Sequence, residues 1–285
     1  EAIIARGYLQ WGTALYRQGR YEDAVDRLRM ALMAAQDGGL PGDEADVLRH
    51  LGTTRLEQGK MEEARDHCQA ALAIYRRRGN RLGEGNALTD LGWISQRQQR
   101  FAEAQSYLEK AERTHRTSHN QHGVTIALLN LGIVNQMQGN LSAAHRVYRR
   151  LFDRLGDVPD RYHHSLVNHS MGVLLTRLGD YSPARRHLLT ALEIDRATGD
   201  EGGLAWSYNA LGLLHNHLGD AKTGLAYHRE ALAIGQRQGA STVEGIALLG
   251  IGQDLQALGQ WQAAADAYTE AIAVQEKLAQ HVRGL

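Results

Sequence analysis

The chain has 285 residues, with 32 Lys plus Arg against 32 Asp plus Glu, so its formal net charge is zero and no overall positive field draws in nucleic acid or an anionic membrane surface. Its one cysteine, Cys68, excludes an internal disulfide and fits a reducing compartment. No apolar run approaches the ~20 residues of a membrane helix, and the opening EAIIARGYLQ lacks the layout of a signal peptide. The expectation is a cytoplasmic segment without direct nucleic-acid or membrane partners. Because it opens inside a helical pattern and without Met, it is expected to be a piece of a longer protein.

Along the chain one register repeats every forty residues. A glycine follows a large apolar residue at Trp11-Gly12, Leu51-Gly52, Leu91-Gly92, Leu131-Gly132, Met171-Gly172, Leu211-Gly212 and Ile251-Gly252. Seven residues later stands a second glycine, at Gly19, Gly59, Gly139, Gly179, Gly219 and Gly259, with Gln99 as the exception. Small residues recur at Ala24, Ala64, Ala104, Ala144, Ala184, Gly224 and Ala264. The second glycine stops a helix by taking the left-handed conformation. Asn140, Asp180 and Asp220 follow it, where a side-chain oxygen can cap the next helix, and Glu22, Asp23, Glu62, Glu63 and Glu103 favour that helix's positive end. The first glycine and the alanines let two antiparallel helices approach closely.

The register therefore predicts seven helix pairs in chain order. They are 2–18 with 21–37, 43–58 with 61–79, 81–98 with 101–119, 121–138 with 141–155, 160–178 with 181–199, 201–218 with 221–239, and 241–258 with 261–281. The corresponding units are 2–40, 41–80, 81–120, 121–159, 160–200, 201–240 and 241–281. They are expected to form a single solenoid over 1–285. The last helix, WQAAADAYTEAIAVQ at its start, is expected to leave Trp261, Ala264, Tyr268 and Ile272 partly uncovered, a surface for further chain or self-association through uncapped terminal repeats.

The glycine, aromatic and alanine marks resemble the tetratricopeptide repeat over essentially the whole chain. The usual repeat is about 34 residues with a proline near its end, whereas this unit is longer and the chain has three prolines. Phrases such as Asn130-Leu131-Gly132 and the links Gly79-Asn80 and Gly199-Asp200 are similar to a forty-residue subgroup. It includes Leu-Gly-Asn-repeat adaptors, kinesin light chains and the C-terminal arms of bacterial STAND-type regulators. Arginine outnumbers lysine 28 to 4, which tilts the reading towards the bacterial group. The resemblance implies an all-α fold, a right-handed superhelical solenoid of seven helix hairpins, whose first helices line a concave wall.

Carried onto this chain, the family's wall positions imply a protein or peptide segment held in the groove. They give Arg49 in the second unit, and Asn86, Thr89, Asp90, Trp93 and Arg97 in the third. The fourth supplies Ile126, Asn130 and Ile133, and the fifth His169, Val173 and Arg177. Trp206, Asn209, Leu213 and Asn216 come from the sixth. Asn and Gln donate and accept at once, which suits an extended main chain, and Trp and Arg are common anchors. Against this, apolar wall members, above all Leu129, Ile133, Leu166 and Leu249, equally read as packing between neighbouring first helices.

Catalytic and metal patterns do not assemble. His115, His119 and His122 lie at a helix end and link with no carboxylate or cysteine to close a set. GDAKTG at Gly219 to Gly224 lacks the lysine and hydroxyl of a phosphate loop, and Gly83-Glu84-Gly85 does not continue to a dinucleotide fingerprint. Cys68 falls on an interior helix position. The expectation is no enzyme and no cofactor. The leading role is the sensor or docking arm of a multidomain signalling or transcription regulator, and the second a free-standing scaffold joining two proteins.

Overall fold

The computed structural model describes residues 1–156 and 161–283, with side chains as far as Leu278. The forty-residue register is realised there as α-helices joined by tight links, with no strand among the described residues. Backbone packing divides the chain into two compact units, Glu1–Gln138 and Gly139–Leu285.

The first unit holds α1 (Ala2–Arg17), α2 (Tyr21–Asp37), α3 (Pro41–Glu57), α4 (Met61–Arg77), α5 (Arg81–Arg97), α6 (Phe101–Thr117) and α7 (Gln121–Met137). Helices α1, α3, α5 and α7 lie side by side, and α2, α4 and α6 form a second layer, each against the helices before and after it. The second unit holds α8 (Leu141–Leu155), α9 (Arg161–Leu178), α10 (Tyr181–Thr198), α11 (Glu201–His217), α12 (Ala221–Gln238), α13 (Ser241–Ala257) and α14 (Trp261–Arg283). Here α9, α11 and α13 are neighbours, backed by α8, α10, α12 and α14. Observed helix ends fall within two residues of those expected from the register. Residues 157–160, where the fifth first helix was expected to begin, lie outside the described residues, as do 284 and 285.

The helix stops form as the glycines predict: Gly19, Gly59, Gly139, Gly179, Gly219 and Gly259 all have φ between +74° and +82°. Gln99, which replaces glycine, takes the same turn at φ +59°, and His119 does so at +55°. The capping expectation needs correction. Asp220 does accept from the Thr223 amide at 3.2 Å, but neither Asn140 nor Asp180 makes a side-chain cap bond. The side-chain caps instead sit on links before first helices: Asn80 accepts from Gly83, Asn120 from Gly123 and Asp200 from Gly203, at 2.9, 3.1 and 2.9 Å. Those amides are orphan donors at a helix start, so an Asx side chain there replaces a missing partner.

The first glycines are seats for the second helices. A Cβ at Gly12, Gly92 or Gly172 would strike Leu28, Leu108 or Leu188, and one at Gly52 would strike the Cys68 thiol. Leu28, Leu108, Leu188 and Cys68 are buried completely, and a side chain of leucine size contributes roughly 1.5–3 kcal/mol when so buried. Burial pushes the Cys68 thiol well above its ordinary range, so it is a core residue rather than a nucleophile. On α14, Trp261 is 67% and Ile272 59% exposed, as expected, but Ala264 is buried and Tyr268 half-buried, its hydroxyl donating to Gln256 at 3.0 Å. Helix α13 covers them through Ile251 and Leu255.

Candidate functional site

First-helix residues alternate between a buried face, packed on the second-helix layer, and a half-open face formed by the wall positions. In the first unit that open face is largely satisfied by the protein itself. Arg49 Nη1 donates to Asp90 Oδ2 at 3.1 Å across one repeat, and its Nη2 lies 3.4 Å from His50 Nε2. Burial and the Arg49 charge hold His50 down at about 4, so its ring is neutral at pH 7. Thr89 donates to the Gly85 carbonyl at 3.0 Å and also meets His115. The Arg97 guanidinium lies over the Trp93 ring at 5.9 Å, within cation–π range. Arg49, Thr89 and Asp90, expected to meet a ligand, therefore already bond within the protein. Asn86, Ile126, Asn130 and Ile133 remain half-buried on the open face, whereas Leu129 is 6% exposed and packs as core.

In the second unit the wall deepens into a pocket of about 330 Å³ between α9, α11 and α13. Eight residues at the expected wall positions, His169, Val173, Trp206, Asn209, Leu213, Ile246, Leu249 and Gln253, line it. Asn216 turns away from it and donates its Nδ2–H to Asp254 Oδ1 at 2.9 Å, while Arg177 stays exposed at the end of α9 and outside the pocket lining. Trp206 is 40% exposed at the rim, a large apolar surface between buried Ala205 and Ser207 on α11.

The polar groups in this pocket are unusual. Asn209 is 5% exposed, and both its Nδ2 and Oδ1 are buried without a hydrogen-bond partner. His169 Nδ1 is likewise buried and unbonded, and burial alone holds the ring down at about 4. A buried carboxamide without partners is destabilising by roughly 1–3 kcal/mol relative to a bonded one.

Three lining groups, Ala210, His228 and Gly250, were not expected. His228 belongs to the second-helix layer and occupies the place of Leu28, Cys68, Leu108 and Leu188 in the register. Its Nδ1 lies 2.6 Å from Asp254 Oδ2, and Asp254 is fully buried. Gly212, Gly224 and Gly250 make room for this pair, since a Cβ at any of them would strike His228 or Asp254. The signal lay in the register: Gly224 departs from the alanine column where it leaves space for a carboxylate.

His115, His119 and His122 do not assemble as a metal site: His115 is buried and lies 3.0 Å from Asn120 Nδ2, while His119 and His122 are exposed. Among the described residues no group of three or more His, Cys, Asp or Glu side chains is placed to hold a metal ion, and no helix is long and apolar enough to cross a membrane.

The paired helices, the glycine seats and the first-helix wall together define a helical solenoid of the tetratricopeptide type. A family model described as tetratricopeptide repeat matches residues 43–117, 94–157, 163–236 and 203–277, and the chain belongs to that family. No curated protein matches it. Among solved structures it is similar to a Rap protein complexed with competence and sporulation factor, at 14% identity and TM-score 0.76, covering 96% of this chain and 75% of that one. The apo form of the quorum sensor NprR from B. thuringiensis matches at 10% identity and TM-score 0.62, covering 96% and 88%. A Signal Transduction ATPase with Numerous Domains protein with a tetratricopeptide repeat sensor, from Pyrococcus horikoshii, matches at 15% identity and TM-score 0.62, covering 91% of this chain and 41% of that one. At these identities the likeness is one of fold.

Proposed function

We propose that the chain is a protein- or peptide-binding tetratricopeptide module of the forty-residue subgroup, acting as the sensor or docking arm of a multidomain bacterial regulator. The observation that carries this reading is the Asn209 carboxamide, buried and unbonded on an apolar wall beside Trp206. A peptide unit presents one N–H and one C=O, which match the donor and acceptor of a single Asn side chain. The forty-residue period supports the subgroup. The fold shared with a Rap protein solved with a bound factor, with a quorum sensor and with a STAND protein's sensor region supports the regulatory role.

The test is a random peptide library displayed on phage and selected on the full chain, with the selected peptides measured by calorimetry against wild type and Asn209→Leu. Peptides that bind the variant at least about tenfold more weakly, a difference of about 1.4 kcal/mol, support the reading. Peptides that bind both equally well overturn it.

A further inference from the structure

The pocket of the second unit differs in chemistry from the wall of the first. Between α9, α11 and α13 no Lys, Arg, Asp or Glu contributes to the lining. Asp254 lies fully buried behind the lining residue His228 and is bonded by both His228 and Asn216. A charged side chain entering here would lose its hydration and find no counter-ion, which strongly disfavours it. The walls are instead built from Val173, Trp206, Leu213, Ile246 and Leu249. The volume of about 330 Å³ sits at the lower end of small-molecule sites, enough for one large side chain and its flanking peptide units.

Two unbonded polar groups set the rest of the specification. Asn209 offers a donor and an acceptor, a match for one peptide unit, and His169 Nδ1 remains as a second, separate hydrogen-bonding position. Burial keeps that imidazole neutral at pH 7. A side chain that fills an apolar pocket and also satisfies one polar atom has an apolar body with a polar tip, which describes tyrosine and tryptophan.

Resting on the peptide-binding reading above, we propose that this pocket is a specificity site for a tyrosine or tryptophan of the bound segment, with Asn209 on its main chain and His169 at its polar tip. On the wall of the first unit the Arg49–Asp90 pair places formal charges at register positions where this pocket has Asn209 and Ala210, which carry none.

The probes are blocked tripeptides, N-acetyl-glycyl-X-glycinamide with X as tyrosine, tryptophan, phenylalanine, aspartate or lysine, titrated into the isotope-labelled full chain by NMR. The tyrosine and tryptophan peptides are expected to shift the Trp206 indole signal. They should bind roughly three- to tenfold more tightly than the phenylalanine peptide, the range one added hydrogen bond provides. The aspartate and lysine peptides should be weaker still. In His169→Leu the tyrosine advantage over phenylalanine should vanish while phenylalanine binding persists. If all five peptides bind alike and all are lost in Asn209→Leu, the side-chain specificity is wrong and the peptide-binding reading stands. If none binds, or binding survives Asn209→Leu, both are wrong.

Discussion

Asn209 is a residue whose place is a liability to the folded chain alone. Its amide is 95% buried by the complement of its 5% exposure, and neither end is bonded. Replacing it with leucine, a side chain of similar size, removes the unsatisfied groups, so Asn209→Leu is expected to raise stability by about 1–2 kcal/mol in urea unfolding. A residue kept for structure would show the opposite sign. His169 makes a second residue-scale prediction. Its pKa is depressed to about 4 by burial, so in the acid range the unfolded chain takes up the proton first. Its contribution is full above the ordinary histidine value of about 6.5 and is lost as the pH falls from there towards 4, by about 1–2 kcal/mol given its partial exposure. Thermal unfolding across that window should show a shallower acid decline for His169→Gln than for wild type.

At the scale of the helix, the register explains both the ordinary and the exceptional links. Gln99 holds a left-handed turn that glycine holds at every equivalent position, and a non-glycine residue there is strained by roughly 1–2 kcal/mol. Gln99→Gly should therefore stabilise the chain by about 1 kcal/mol, the gain being smaller than the strain because glycine is freer when unfolded. Unchanged or lower stability would mean that the Gln99 side chain holds something the turn requires. The interior pair of α12 and α13 is the other departure. His228→Leu or Asp254→Leu alone strands a buried polar partner, and each is expected to cost about 3–5 kcal/mol. The double substitution restores the apolar register seen at Leu188 and Leu214 and should recover most of that loss. A double variant no better than the worse single one would show that the space left by Gly212, Gly224 and Gly250 cannot be refilled by leucine.

For the molecule as a whole, charge is balanced in number but unevenly used. Arginine–carboxylate contacts bridge adjacent repeats in the first unit, as in Arg6–Asp43, Arg49–Asp90 and Arg65–Glu103, whereas no Lys, Arg, Asp or Glu lines the pocket of the second unit. With zero net charge the chain carries no net monopole. An uncharged peptide held in the pocket should change its affinity by less than about twofold between 0.05 and 0.5 M salt. A steep salt dependence in calorimetry would move the recognition to the charged wall of the first unit.

Helix order, the links and the glycine-seated pairs were legible in the sequence because each depends on local chemistry: a stop needs a left-handed residue, a close crossing needs a missing side chain, and both recur every forty residues. The open face of the first helices was legible for the same reason, since a helix's period assigns its faces. What remained hidden was which wall residues are already engaged. Arg49 finds Asp90 and Asn216 finds Asp254 from the next repeat, through rotamers and neighbours that no single unit encodes. Asn209 and His169, polar residues on the same face, find none. The sequence alone determined the helices and their register, because those are set by residues within a turn of one another. Only the tertiary structure decided which polar groups were left unbonded, because satisfaction of a hydrogen bond depends on atoms that packing brings together from separate repeats.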